Sequence, residues 1–248
     1  MQPINRLDFL KRSLLTTVAL SLPARSWAQV AGANSDIRMA VIGFNGQGGS
    51  HIKGFGSLPG VRLVALCDAD KSVLEREAKK LRERNLPIVT YTDVRKLLEN
   101  KEIDAISTAT PNHWHALISI WACQAGKDVY VEKPVCHNVW EGKRIVEAAR
   151  KYNRIVQTGT QCRSSSGLCE AVEWVRAGNL GKILVARGLC YKRRGSIGKV
   201  NGPQEVPASV DYDLWCGPSP KGPLMRTRLH YDWHWVWATG NGNLGNQG

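Results

Sequence analysis

Through the first two thirds of this chain the apolar residues fall into short continuous runs. "IRMAVIGF" (37–44), "VRLVALCD" (61–68), "IDAISTAT" (103–110), "DVYVEKP" (128–134) and "RIVQTGT" (154–160) read as strands buried on both faces, as in a sheet covered by helices. Between them, 71–85, 93–100, 113–125 and 138–152 carry helical patterns. Strand, helix, strand at this spacing predicts an α/β fold: a doubly wound parallel sheet with right-handed crossovers, over 36–156.

From about Gly178 the rhythm changes. "KILVARGLCYK", a Gly- and Pro-rich stretch (Gly195–Pro223) and "HYDWHWVW" (230–237) predict a second domain over 157–248, α+β and built on a mainly antiparallel sheet. A period of two in the last segment places Trp233, Trp235 and Trp237 on one face and His230, Asp232 and His234 on the other. The tryptophan face, with Trp235 as the substrate-side candidate, suits stacking on a sugar ring and suits a core stripe equally. The opposite face has two imidazoles and a carboxylate but no further ligands, and no metal is expected.

Composition narrows this little: 248 residues, 43% hydrophobic and 22% charged, are ordinary for a soluble protein of one or two domains. The first 28 residues read as a leader, with a basic start (Arg6, Lys11, Arg12), an apolar run Leu14–Leu22 and "SWA" before the expected cleavage. That run is too short for a stable membrane span. "NRLDFLK" (5–11) resembles a twin-arginine export motif with Leu7 in place of the second arginine. Export to the periplasm is the expectation, and a cytoplasmic location if the leader does not function. Removing Arg6, Lys11, Arg12, Arg25 and Asp8 takes the net charge from +13 to +10. The remaining basic residues are dispersed, and Lys79, Lys80, Arg82 and Arg84 read as a solvated helix face. This argues against a nucleic-acid partner and for a general attraction to anionic ligands such as dinucleotide phosphates. Seven cysteines with no CxxC pair do not read as a disulfide framework.

The first strand runs into "GFNGQG", where Gly43, Asn45 and Gly48 occupy the three fixed positions of GxGxxG. A pyrophosphate needs a tight turn at the first position, close backbone approach at the second and close helix packing at the third. Asn45 departs from the pattern, with Gly46 beside it to relieve crowding. Gly43, Phe44, Asn45, Gly46, Gln47 and Gly48 are therefore the cofactor-loop candidates. Asp68 ends the second strand, where an acidic group binds ribose hydroxyls, and no arginine follows it immediately, which favours NAD over NADP. Asp70 reads as a helix cap. "ATPNHWHA" places Thr110, Pro111, Asn112, His113 and His115 at the carboxyl edge of the sheet, and "YVEKP" follows the next strand in the same way.

With these segments the chain resembles the Gfo/Idh/MocA oxidoreductases over nearly its whole length after the leader. The family's EKP motif stands here as Glu132, Lys133 and Pro134, and its cofactor loop as "TPNHWH". The resemblance implies an NAD-dependent enzyme with a Rossmann domain. It implies that Thr110, Pro111, Asn112 and His115 line the cofactor, that Glu132 lies near the nicotinamide ribose, and that Lys133 binds the substrate hydroxyl and tunes proton transfer. It further implies that "QTGTQCRSS", with Gln157, Gln161 and Arg163, leads into the substrate domain, that the substrate is a sugar, polyol or derivative, and that the complete protein is a homo-oligomer. The family also carries a Gly-rich segment with an Asp, a Gly and, two residues later, a His that accepts the proton. In "GNQG" Asn246 stands at the Asp position and Gly248 at the Gly, which would put the His at 250, so the resemblance implies a C-terminally truncated chain. Three functions fit: an NAD-dependent dehydrogenase for a secondary alcohol, an NAD-dependent glycosidase that oxidises its sugar transiently, and a dinucleotide-binding fragment without catalysis.

Overall fold

β1 (Ile37–Ile42), β2 (Val61–Cys67), β3 (Val89–Tyr91), β4 (Ala105–Thr108), β5 (Asp128–Glu132) and β6 (Val156–Gly159) form one sheet in the order β3-β2-β1-β4-β5-β6. The pairs β1 with β4, β2 with β3, β4 with β5 and β5 with β6 run parallel. This is the doubly wound arrangement, whose order reverses between β1 and β4 and opens a crevice at the carboxyl ends there. The computed structural model describes residues 36–189 and 194–247; the leader reading, Cys190 and Gly248 lie outside them.

The inner strands β1, β2, β4 and β5 are buried on both faces over most of their length, as their continuous apolar runs require, while the edge strands β3 and β6 stay partly exposed. Ala40 and Ile42 of β1 pack with Ile106, Val129 and Val131 on one side, while Met39 and Val41 face Leu66 and Ala105 on the other. The first layer is covered by α3 (Val94–Glu99), α4 (Asn112–Gln124) and α5 (Val139–Lys151), through Leu97, Ile118, Ala122 and Ala148. The second is covered by α1 (Gln47–Phe55) and α2 (Lys71–Glu83), through Ile52, Val73, Leu74 and Leu81. Side chains start three of these helices. Asp70 accepts from Ser72 N at 2.9 Å, Asp93 from Arg95 N at 2.9 Å and Asn138 from Glu141 N at 3.0 Å. Asp70 is thus the cap its position implied, and Lys79, Lys80 and Arg82 on α2 and Arg84 at its C-cap are exposed.

β3 is three residues long, too short to show a pattern, and was not among the segments named from the sequence. After β6 come a 3₁₀ turn over Gln161–Ser164, α6 (Ser166–Arg176), α7 (Tyr212–Cys216), a second 3₁₀ turn over Asp232–Trp235 and α8 (Gly242–Gln247). The expected antiparallel sheet is not formed among the described residues; two isolated antiparallel bridges, Asp70 with Val210 and Gln204 with Leu224, stand there instead. The β-prone run Ile183, Leu184 and Val185 is exposed and has no strand beside it, and β propensity without a partner strand does not make a sheet.

The aromatic strand expected at 230–237 is a 3₁₀ turn. Trp233 and His234 stack at 3.6 Å between ring centres, which adjacent residues of a strand, pointing to opposite faces, cannot do. Tyr231, with φ 70, turns the chain just before it. A smaller apolar cluster of Val210, Trp215, Cys216, Leu224 and Leu229 holds this C-terminal stretch together.

Candidate functional site

At the carboxyl ends of β1, β2, β4 and β5 lies a cleft of about 410 Å³. The turn from β1 into α1 forms its floor. Gly43 has φ +71, and a side chain there would meet Thr110 Cγ2 at 2.7 Å, so both backbone conformation and space require glycine. A Cβ on Gly48 would stand 2.1 Å from the Gly43 carbonyl oxygen, which is the close helix packing expected at the third fixed position. Phe44 lines the cleft while its side chain is buried in the core cluster beneath. Asn45 is exposed and accepts from Arg76 Nη2 at 3.3 Å. No side chain caps the start of α1, so its first N–H groups face the cleft beside Gly46 and Gln47 as an anion site.

Asp68 accepts from Phe44 N at 3.1 Å and from Asp70 N at 3.0 Å and lines the cleft. Burial pushes its carboxyl above the usual carboxylate range, against those two hydrogen bonds and the nearby His230, which pull it down. Replacing it with asparagine keeps the shape and removes the charge. Fluorescence titration of D68N is expected to show NADH binding weakened about tenfold or more, with NADPH binding unchanged or tighter, because a charge-assisted bond is lost and a repulsion to a 2′-phosphate is relieved. An unchanged ratio of the two affinities would remove Asp68 from the ribose site.

Across the cleft, Glu132 is buried and meets three donors, with acceptor capacity left on Oε2. Its Oε1 lies 3.0 Å from His51 Nε2 and also accepts from Gln161 Nε2, while Oε2 accepts from Lys133 N at 3.0 Å. Burial alone would raise its pKa; the hydrogen bonds from His51, Lys133 N and Gln161 overcome that and hold the carboxyl below its usual value. Lys133 reaches toward α8, donating to the Asn246 carbonyl oxygen and, at 3.4 Å, to Asn246 Oδ1. The structure therefore brings Lys133, Glu132, Gln161 and Asn246 into the same cavity as the Gly43–Gln47 turn, Asp68, Thr110, Pro111 and Asn112. It does not bring Arg163, exposed on the first 3₁₀ turn, or Trp235, which stands edge-on to Tyr231, into the lining.

His115 is a clamp. Its Nδ1 lies 2.7 Å from the Pro134 carbonyl oxygen and its Nε2 2.8 Å from that of Thr110, so one buried ring joins the two loops that carry the site. Burial drives its pKa down. His230, Asp232 and His234, expected on one strand face, take separate partners: Asp70, Arg228 and the Tyr231 carbonyl. Among the described residues no metal-holding cluster forms.

Several lining residues were not singled out for this role in the sequence. Trp215, His230 and His234 come from the C-terminal stretch, as does Trp233, read from the sequence only as part of a tryptophan face, and all four line the same cavity as the cofactor turn. His51, which stands behind the lining against Glu132, left a readable trace, since Gly48, His51 and Ile52 share the buried stripe of α1. Trp215 is held by its carbonyl, which accepts from Trp114 Nε1 at 3.0 Å and lies 3.2 Å from His113 Nε2; His113 Nδ1 is 3.3 Å from the Thr239 carbonyl.

Burial lowers His113 to about 4. The unfolded chain holds the extra proton between that value and the ordinary value of about 6.5, so the neutral ring's contribution is complete above about pH 6.5 and is lost as pH falls toward about 4. That loss is on the order of 3 kcal/mol for this one group. Urea unfolding of H113Q and wild type is expected to show a stability gap that narrows on acidification; a gap independent of pH would refute the assignment.

A six-stranded sheet with this order, a glycine turn feeding an uncapped helix and an acidic residue ending β2 define a dinucleotide-binding Rossmann protein. Residues 37–160 match the family model described as the Gfo/Idh/MocA oxidoreductase family, NAD-binding Rossmann fold, and residues 179–248 match that of its C-terminal alpha/beta domain. The chain belongs to the Gfo/Idh/MocA oxidoreductase family, and its cofactor is NAD.

Among its relatives, a glycosyl hydrolase family 109 protein of Shewanella baltica is 29% identical over 207 residues, which cover 74% of this chain and 45% of that protein. The chain thus spans less than half the length of that relative. Myo-inositol 2-dehydrogenase from Lactobacillus plantarum shares 28% identity with a TM-score of 0.53, covering 60% of this chain and 43% of the other. An NAD-binding oxidoreductase from Klebsiella pneumoniae shares 27% identity with a TM-score of 0.52, covering 59% and 40%.

Proposed function

We propose that this chain carries the cofactor site and the lysine side of an enzyme that oxidises a secondary alcohol of a sugar, polyol or derivative. The observation that carries this reading is the position of Lys133, whose ammonium shares one cavity with the glycine turn, Asp68 and the ionised Glu132. NAD, when bound, supplies the acceptor for the hydride that leaves the alcohol carbon. Gly43 and Gly48 let the backbone close on the pyrophosphate, the start of α1 receives its charge, and Asp68 takes the ribose hydroxyls. Glu132 accepts from the second ribose. Lys133 donates to the substrate hydroxyl, lowers its pKa and stabilises the developing alkoxide. Trp233 and His234 offer a ring face and an imidazole on the substrate side of the cleft.

A second reading, a glycosidase that oxidises its sugar transiently in a cycle with no net redox change, is favoured by the relatives named glycosyl hydrolase family 109. One assay separates the readings: the protein is given NAD with inositols, and separately with nitrophenyl glycosides. NADH accumulating in step with polyol consumed supports the dehydrogenase. Nitrophenol released without NADH supports the glycosidase. NADH binding with neither product leaves a dinucleotide-binding module.

A further inference from the structure

His51 sits on α1, three residues past Gly48, and is buried. Its ring meets Phe55 and Tyr130 edge-on, at 5.8 and 5.3 Å between centres. Nδ1 is 2.5 Å from Ser107 Oγ on β4, and Nε2 is 3.0 Å from Glu132 Oε1 at the end of β5. An ionised carboxylate only accepts, so Nε2 carries the hydrogen, and in the neutral ring Nδ1 accepts from the Ser107 hydroxyl. Ser107 to His51 to Glu132 is then a one-way chain of donors ending on the carboxylate. The other carboxylate oxygen holds Lys133 N.

We infer that His51 is a positioning residue that keeps Glu132 ionised against its burial and thereby fixes the peptide carrying Lys133 to the helix that receives the pyrophosphate. The inference rests on the NAD-dependent reading of the cleft. Its basis is that Glu132, like any carboxylate withdrawn from water, stays charged only while donors replace the lost hydration. The groups around it are His51 from α1, His115 from α4, Tyr130 from its own strand, Lys133 beside it and the neutral Gln161 amide. Of these, His51 alone ties Glu132 to α1.

The two imidazole nitrogens can be replaced separately. H51N places an amide near Nδ1, keeping Ser107 and losing Glu132; H51Q reaches to Nε2, keeping Glu132 and losing Ser107. A residue that only fills space would make the two variants behave alike. NADH affinity of the full chain is measured by fluorescence from about pH 8 to about pH 5.5, a window that spans the titration of a buried carboxyl released from its donor. H51N is expected to weaken binding roughly ten- to a hundredfold more than wild type does across that window, the size of one hydrogen bond to a charged group. That extra dependence should vanish in H51N/E132Q, and H51Q should follow wild type. Parallel profiles for H51N and wild type, or matching defects in H51N and H51Q, would overturn the inference. Wild type failing to bind NADH at all would instead remove the NAD reading and this inference together. If H51N does not fold, carbon-13 titration of the Glu132 carboxyl decides: it should stay ionised to below about pH 4.5 in wild type and H51Q, and an inflection between about 5 and 7 in either overturns the proposal.

Discussion

Gly48→Ala is expected to abolish measurable NADH binding and to lower the melting temperature by several degrees, while Gly49→Ala, one residue along the same helix, leaves both intact. The new methyl at 48 would stand 2.1 Å from the Gly43 carbonyl oxygen and 2.9 Å from Phe44 Cβ. Neither neighbour can yield cheaply, since Gly43 is pinned by Thr110 and by its N–H bond to the Cys67 carbonyl at 2.9 Å, and Phe44 is in the core. Helix α1 must move off the sheet, which costs roughly 1–3 kcal/mol as overpacking, and the turn that receives the pyrophosphate moves with it. At 49 the methyl meets only the Phe44 carbonyl oxygen at 3.7 Å, an ordinary contact. There alanine gains about 1 kcal/mol of helix propensity over glycine. Thermal unfolding and NADH titration of the pair give the comparison, and equal behaviour of the two variants would mean that α1 does not pack on β1 as described.

Lys133→Ala is expected to lower turnover by roughly 10²- to 10⁴-fold with NADH affinity within about threefold of wild type, the signature of a group acting on the reacting hydroxyl rather than on the cofactor. Lys133→Arg should not restore the rate, since a planar fork cannot replace a compact ammonium at one oxygen. The measurement is kcat on whichever polyol or glycoside gives product in the assay above. A rate reduced less than tenfold in the alanine variant would move the lysine out of the reaction.

The nucleotide-binding half was legible because its signals are local. Continuous apolar strands, helical runs with Asp or Asn caps, and glycines that a turn requires all fall within a few residues of one another. The C-terminal stretch was not legible in the same way. Its alternating tryptophans matched a strand, but the period of two is a preference that only a neighbouring strand enforces, and none stands beside it among the described residues. His230 shows the limit from the other side. Nothing near it in sequence foretells that its Nε2 will stand 2.8 Å from the oxygen of Asp70, the cap of α2. For Glu132 and Lys133 the sequence supplied the residues, and only the structure supplied the ring of donors that settles the carboxylate's charge.

That same Asp70–His230 contact joins residues 160 positions apart. Closing so long a loop carries an entropy cost that the neighbouring strands and helices of the sheet do not bear, so contacts of this kind form late. The glycine turn, Asp68 and the Lys133 loop belong to the sheet, while Trp215, His230, Trp233 and Asn246 reach the same cavity from far along the chain. The wall of the cleft that the sheet supplies therefore rests on contacts cheaper to close than the wall these distant residues supply.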